Sequence, residues 1–245
     1  MPESATLRVC ALYPELMNIY ADRGNLLMLR RRCEWRGLGF ALQGVGLGDP
    51  LDAEGADLYY MGGGQDRDQA RCAADLHEHK REALAAAAAR GAVVLGVCGG
   101  YQLLGHAYQL AEEVLPGVGL LDVRTERAEG PRLIGNIAIE VDLPDAAGAI
   151  LAGFENHGGR TRLGEGAEPL GRVLRGHGNN GMDGHEGARA GTVIGTYIHG
   201  PLLPKNAWFA DWLISTALGG EERLAPLDDD LERRAHEEAC RAAGV

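Results

Sequence analysis

Ala92-Val-Val-Leu-Gly-Val-Cys98-Gly-Gly-Tyr-Gln102 decides how the rest of the chain is read. Ala92 to Val97 is a short apolar run rich in β-branched residues, the pattern of a buried strand in a parallel sheet. Gly99 and Gly100 permit a turn too tight for side chains, and Tyr101 onward starts a helix. A strand, a sharp bend and a helix hold the residue at the bend out at the sheet's C-terminal edge. The first backbone N–H groups of the helix point at it and favour a thiolate there. Cys98 is therefore the candidate nucleophile. Most cysteines are small buried hydrophobes. An inert one has no need of Gly96 before it and two glycines after it, whereas a nucleophile approached closely by substrate does.

Upstream, strands and helices alternate. Thr6–Leu12 reads as the first strand, blocked from continuing by Pro14, and the polar cluster Asp22 to Asn25 can cap a helix that runs to about Arg36 and ends at Gly37. Phe40–Gln43 and Asp57–Met61 read as the next strands, the latter followed at once by Gly62-Gly63-Gly64. From Gln69 to Arg90 an alanine-rich, charged stretch spaces Cys72, Leu76, Ala83, Leu84 and Ala87 on one helical face. The order is that of a doubly wound α/β fold with a central, mainly parallel sheet flanked by helices. Ligands in such folds bind at the strands' C-terminal ends, where both glycine turns fall.

Downstream of about Glu113 the texture becomes antiparallel and loop-rich. Arg132–Val141 alternates as a strand, Phe154–Gly159 reads as a polar turn, and the glycine-rich stretch from Gly176 to Gly191 reads as flexible. Thr192–Ile198 returns as a strand and delivers His199-Gly200-Pro201 at its end. Asn206 is placed to cap a core helix over Ala207–Leu218, and a charged tail helix follows around Asp228–Ala243. With no internal repeat or linker, a single domain over 1–245 is expected, its core spanning about 6–219 and a helical tail about 227–245.

The totals narrow the function classes. A formal net charge of −11 over 245 residues, with no basic run to offset it, argues against a nucleic-acid or anionic-membrane surface. Arg30-Arg31-Arg32 with Arg36 reads as the solvated face of a helix. Five scattered cysteines without a CxxC pair suggest neither a disulfide framework nor a zinc ribbon. No apolar run approaches the roughly 20 residues that span a bilayer, and a cytoplasmic protein is expected. His177, Asp183 and His185 do not follow a recognised ligand spacing, so no metal is assigned.

A thiol needs a base within hydrogen-bond reach. Of eight histidines, His199 ends an apolar strand and should reach the same sheet edge as Cys98; His157, in Glu155-Asn-His-Gly-Gly159, is the second candidate. If Cys98 attacks a carbonyl, backbone N–H groups of Gly99 and of the Gly62-Gly63-Gly64 turn can receive the oxyanion.

Gly-Val-Cys98-Gly-Gly-Tyr-Gln102, Met61-Gly-Gly-Gly-Gln65 and Thr-Tyr-Ile-His199-Gly-Pro201 resemble the triad-type, class I glutamine amidotransferases, whose fold is flavodoxin-like, in the branch shared with cobyric acid synthase. Tyr13-Pro-Glu-Leu-Met-Asn-Ile-Tyr-Ala-Asp-Arg-Gly-Asn25, Phe154-Glu-Asn-His-Gly-Gly-Arg-Thr161, Gly178-Asn-Asn-Gly181 and His199-Gly-Pro-Leu-Leu-Pro-Lys-Asn206 are similar, within that branch, to the GatD family of glutaminase subunits of lipid II isoglutaminyl synthase. The resemblance implies attack of Cys98 on L-glutamine, with His199 protonating the departing ammonia; of the glycine turns, Gly63, Gly64 and Gly99 are the expected oxyanion hole. It implies Arg132 as holder of the substrate carboxylate and Gln102 as a second substrate contact. It also implies a heterodimer with a MurT-like Mur ligase subunit that binds ATP and lipid II, this chain binding no cofactor itself. Many triad amidotransferases carry a Glu two residues after the histidine, where this chain has Pro201. Glu155, Asp22 or a carboxylate of the partner are the alternatives for that post. Cobyrinate amidation, a cysteine peptidase or γ-glutamyl hydrolase, and a non-catalytic scaffold remain as other readings. The chain has no GxxxxGK[ST] loop of its own for ATP.

Overall fold

The structure, a computed structural model, describes residues 5–18, 23–110, 112–220 and 224–245. Strand β1 (Thr6–Leu12) is followed by helix α1 (Arg23–Glu34), strand β2 (Gly39–Val45) and strand β3 (Leu58–Met61). A long helical stretch comes next, made of α2 (Asp66–Asp75), a π-helical turn over Leu76–Lys80, and α3 (Arg81–Ala89). It leads into β4 (Val93–Val97), which bends at Cys98 into the short helix α4 (Gly99–Leu104). Then come β5 (Ala107–Leu110), β6 (Glu113–Pro116), β7 (Val123–Arg127), β8 (Leu133–Val141), β9 (Ile150–His157), β10 (Gly159–Leu163), β11 (Gly171–Arg175) and β12 (His185–Glu186). The chain closes with β13 (Ala188–Ala190), β14 (Val193–Thr196), α5 (Leu202–Lys205), α6 (Ala207–Ala217) and α7 (Asp230–Ala243).

The first sheet has the order β13-β14-β4-β3-β1-β2, parallel from β14 to β2 with β13 antiparallel at one edge. Its central strands are covered on both faces, which is why β3, β4 and β14 are almost wholly apolar and every residue in them is buried. Strand β2 stands at the other edge and exposes Leu42. Two four-stranded sheets, β10-β7-β5-β6 and β12-β11-β8-β9, make the second half. The expected α/β class with a mainly parallel central sheet is what the chain adopts. Among the described residues no helix is long and apolar enough to cross a membrane.

Several local expectations give way to tertiary contacts. Phe154–Gly159 is not a turn: it lies in strands β9 and β10, reversing only around Gly158, because Glu155 and His157 find buried partners across the sheet. The glycine-rich stretch is pinned rather than loose. Asn179 receives the Gly187 amide at 3.0 Å and donates to its carbonyl at 2.8 Å, while Asn180 donates to the Thr161 carbonyl at 3.0 Å. Arg32 is not solvated but fully buried, its guanidinium shared between Asp211 and Asp229, and Arg36 also reaches Asp211 at 2.7 Å. Asn206 precedes α6 as expected, yet its side chain makes no cap and binds the Ala152 backbone and the Leu202 carbonyl instead. Asp22, expected to cap α1, lies outside the described residues.

Candidate active site

Strand β4 ends at Cys98, whose backbone takes φ 53° and ψ −106°, a conformation that costs a non-glycine residue of order 1–3 kcal/mol. The neighbours hold it there. The Cys98 amide donates to the Thr196 carbonyl at 2.8 Å and the Gly100 amide to the Gly62 carbonyl at 3.0 Å, so the bend is tied to strands on both sides. A Cβ at Gly96 would stand 2.7 Å from the Leu104 side chain, and one at Gly100 would overlap the Met61 carbonyl. Glycine is thus demanded by close approach, as the sequence pattern implies. Gly99 opens α4, so its amide has no intrahelical acceptor. A Cβ on Gly99 would lie 3.1 Å from the Gly64 nitrogen, which brings the two glycine turns together. Gly63 is buried between Gly62 and Gly64 in the same turn.

His199 arrives from the adjacent strand. β14 runs parallel to β4 with Thr196 opposite Val97, so Cys98 and His199 both lie just beyond the C-terminal ends of neighbouring strands. His199 exchanges backbone hydrogen bonds with Phe154 on β9 at 2.9 and 3.1 Å, and the Phe154 ring meets the imidazole edge-on at 6.0 Å. Only 1% of His199 is exposed. Burial, then the neighbouring His157, Lys205 and Arg132, hold its pKa down to about 4, so the imidazole is neutral near pH 7. Arg132 stands at the surface beside it, donating to the Asn156 side chain at 2.7 Å and carbonyl at 2.6 Å. Cys98 itself is 8% exposed. The two residues picked from sequence therefore share one rim with the glycine amides and a cation.

Residues 8–207 match the model of the CobB/CobQ-like glutamine amidotransferase domain. The chain belongs to this family of glutamine amidotransferases. Two curated relatives are each named the GatD subunit of a glutamine-hydrolysing lipid II isoglutaminyl synthase. The protein from Streptococcus pneumoniae is 38% identical over 95% of this chain and 90% of its own, and that from Staphylococcus aureus 40% over 82% and 80%. Among solved structures, PurLQS from Thermotoga maritima superposes with a TM-score of 0.57 at 22% identity, covering 86% of this chain and 95% of that one. At that identity the likeness is one of fold.

In this amidotransferase a buried polar chain runs behind the elbow that sequence reading did not anticipate. Gln69 donates to Gln102 at 2.7 Å, Gln102 to the Tyr197 hydroxyl at 3.1 Å, and Thr161 joins Tyr197 to Thr125 with two contacts of 2.7 Å. Gln102 is buried within this chain, and a Cβ at Gly159 would stand 2.6 Å from its amide nitrogen. His157, the second candidate base, stacks flat on the Tyr197 ring at 3.6 Å and donates to the Gly159 carbonyl at 2.9 Å. Its other nitrogen is 3.7 Å from Glu155, whose carboxylate accepts the His177 and Gly178 amides at 2.7 and 3.0 Å. Glu155 is thereby held by the turn after β11. A second buried acid, Glu186, accepts the Tyr197 amide at 2.6 Å; burial, with Glu155 adding to it, pushes its pKa up to about 8. The sequence signals for this wall were Gln102, expected as a substrate contact, and the strings Phe154–Thr161 and Gly178–Gly181 that carry the family resemblance. Among the described residues no three His, Cys, Asp or Glu side chains gather to hold a metal.

Proposed function

We propose that this amidotransferase is the glutaminase subunit of a lipid II isoglutaminyl synthase. It hydrolyses L-glutamine and passes ammonia to a MurT-like Mur ligase partner, which uses ATP to amidate the α-carboxylate of D-glutamate in lipid II to D-isoglutamine. The observation that carries the glutaminase reading is the placing of a strained Cys98 elbow and a buried His199 at the ends of paired strands, with the Gly64 turn packed against Gly99. The choice of acceptor rests on the two relatives named GatD.

The chemistry follows from those positions. Neutral His199 takes the Cys98 proton as sulfur adds to the side-chain amide carbon of glutamine. The oxygen of the tetrahedral adduct is received by the amides of Gly99, Gly64 and Gly63, each such donor lowering the barrier by about 3 kcal/mol. His199 then hands its proton to the nitrogen as the C–N bond breaks and ammonia leaves. Water, deprotonated by His199, attacks the γ-glutamyl thioester and releases glutamate and the thiol. Arg132 suits the α-carboxylate of glutamine, a planar anion matched by a guanidinium fork. Gln102 backs the pocket through the Tyr197 chain. Position 201 is proline and Glu155 accepts the His177 and Gly178 amides; we assign the carboxylate that orients His199 to the ligase partner rather than to Asp22, because a glutaminase incomplete by itself wastes less glutamine.

The test is glutamate release by the purified chain alone and with its ligase, followed by amidation of lipid II with glutamine and ATP. Cys98→Ser and His199→Ala should each lower turnover by at least about a hundredfold, and the partner should raise it. Wild-type rates in Cys98→Ser would sink the thioester route, and full activity of the isolated chain would sink the shared carboxylate.

A further inference from the structure

Met17 is buried in the turn after β1, and its thioether rests on both glycines of the proposed oxyanion site. A Cβ at Gly64 would overlap the Met17 sulfur, and a Cβ at Gly99 would stand 3.2 Å from the Met17 methyl and 3.1 Å from the Gly64 nitrogen. One side chain therefore touches the two turns whose amides must converge on one oxygen. Glycine has the widest backbone freedom of any residue, so Gly62-Gly63-Gly64 does not by itself aim an N–H group to the 2.7–3.1 Å that an oxyanion requires. Something must hold it.

The turn that carries Met17 is fixed at its root. Tyr13, at φ 51°, accepts the Leu16 and Met17 amides on its carbonyl at 3.0 and 2.8 Å, and its own amide donates to Val45 at 2.7 Å. Its hydroxyl donates to Asp75 at 2.7 Å. Asp75 also accepts the Gly48 amide at 2.8 Å and pairs with buried Lys80, whose ammonium lies 5.3 Å from the Tyr13 ring centre. Lys80 ends the π-helical turn, so this irregularity in the long helix serves the loop. Beyond Met17 lies a cavity of about 460 Å³ between α1 and β2, lined also by Pro14, Glu15 and Arg23. The thioether packs on the glycines together with Gln69, whose side-chain oxygen lies 3.1 Å from a Gly99 Cβ, and with the Leu16 carbonyl, 3.4 Å from a Gly64 Cβ.

We infer that Met17 is a positioning residue of the glutaminase reaction, setting the spacing of the Gly64 and Gly99 amides. The inference rests on the glutaminase reading above. Two rates measured on the full chain, alone and with its ligase, separate this role from general damage. Glutamine hydrolysis needs the oxyanion donors; alkylation of Cys98 by iodoacetamide, a displacement of iodide at carbon, does not. Met17→Ala should lower kcat by about tenfold or more, within the loss of up to 10²–10³ expected for one donor. KM and the alkylation rate should stay within about twofold, since neither depends on the oxyanion. Met17→Leu, which keeps bulk over Gly64 but not the methyl over Gly99, should fall between. Equal kcat in all three proteins overturns the inference, as does a fall in alkylation in step with kcat, which would mean that the elbow itself had been disturbed. A native chain that hydrolyses no glutamine in either setting overturns the glutaminase reading and this role with it.

Discussion

An imidazole taken out of water loses its proton more readily, and His199 is the case on which the chemistry turns. Its ordinary value near 6.5 is held down to about 4, first by burial and then by its neighbours His157, Lys205 and Arg132. The sign is simple: the protonated ring cannot accept the Cys98 proton, so activity fails on the acid side of that pKa. A pH profile of kcat/KM for glutamine hydrolysis should therefore hold its acid side to about pH 5; an acid limb between pH 6 and 7 would contradict a neutral buried imidazole. Cys98 and His199 were both legible from sequence, since glycines crowd the first and a strand delivers the second. The base-side wall was not. Tyr197, Thr161, Thr125 and Gln102 are scattered along the chain, and only folding makes them consecutive.

At the scale of elements, the elbow works because β3, β4 and β14 end together and α4 starts pressed against the end of β3. Gly100 is where that pressure is greatest, its Cα facing the Met61 carbonyl and its amide bonded to Gly62. Gly100→Ala forces backbone against backbone, which should cost about 1–3 kcal/mol of stability. A displacement of about 1 Å at the nucleophile should cut glutaminase turnover by about a hundredfold; near-native turnover and melting temperature would refute the close fit. The long helix before β4 teaches a different lesson. Its apolar spacing announced a helix, but not the π-helical turn that turns Lys80 inward, because the partner that makes a buried ammonium tolerable, Asp75, is fixed by Tyr13 and Gly48 from other elements.

For the molecule as a whole, Arg32 ties distant parts of the chain together. It projects from α1 into a fully buried position, where it holds Asp211 on α6 and Asp229 just before α7, and Arg36 adds a bond to the Ala225 carbonyl. Arg32→Ala would leave Asp229 without its cation and Asp211 with Arg36 alone. Complete burial would make the loss about 3–5 kcal/mol, but both aspartates are partly exposed to water, so about 2 kcal/mol is expected. For a chain of this size that is a fall in melting temperature of roughly 5 °C, and limited proteolysis should cut first in the tail; an unchanged melting curve would show the cluster to be idle. α7 is held further by Asn136, which donates to the Ala242 carbonyl at 2.9 Å, and by His236, which donates to the Lys205 carbonyl at 2.9 Å. By itself the sequence determined the parallel sheet, the elbow and the strand that brings the histidine, because apolar periodicity and glycine crowding are local signals. Only the tertiary structure decided which polar residues are buried: Arg32 reads as part of a solvated helix face and Lys80 carries no local signal, while Glu155 and Gln102, singled out in the sequence for the site, give no sign there of the partners that bury them, and a buried charge or amide is stable only where remote parts of the chain supply its partner.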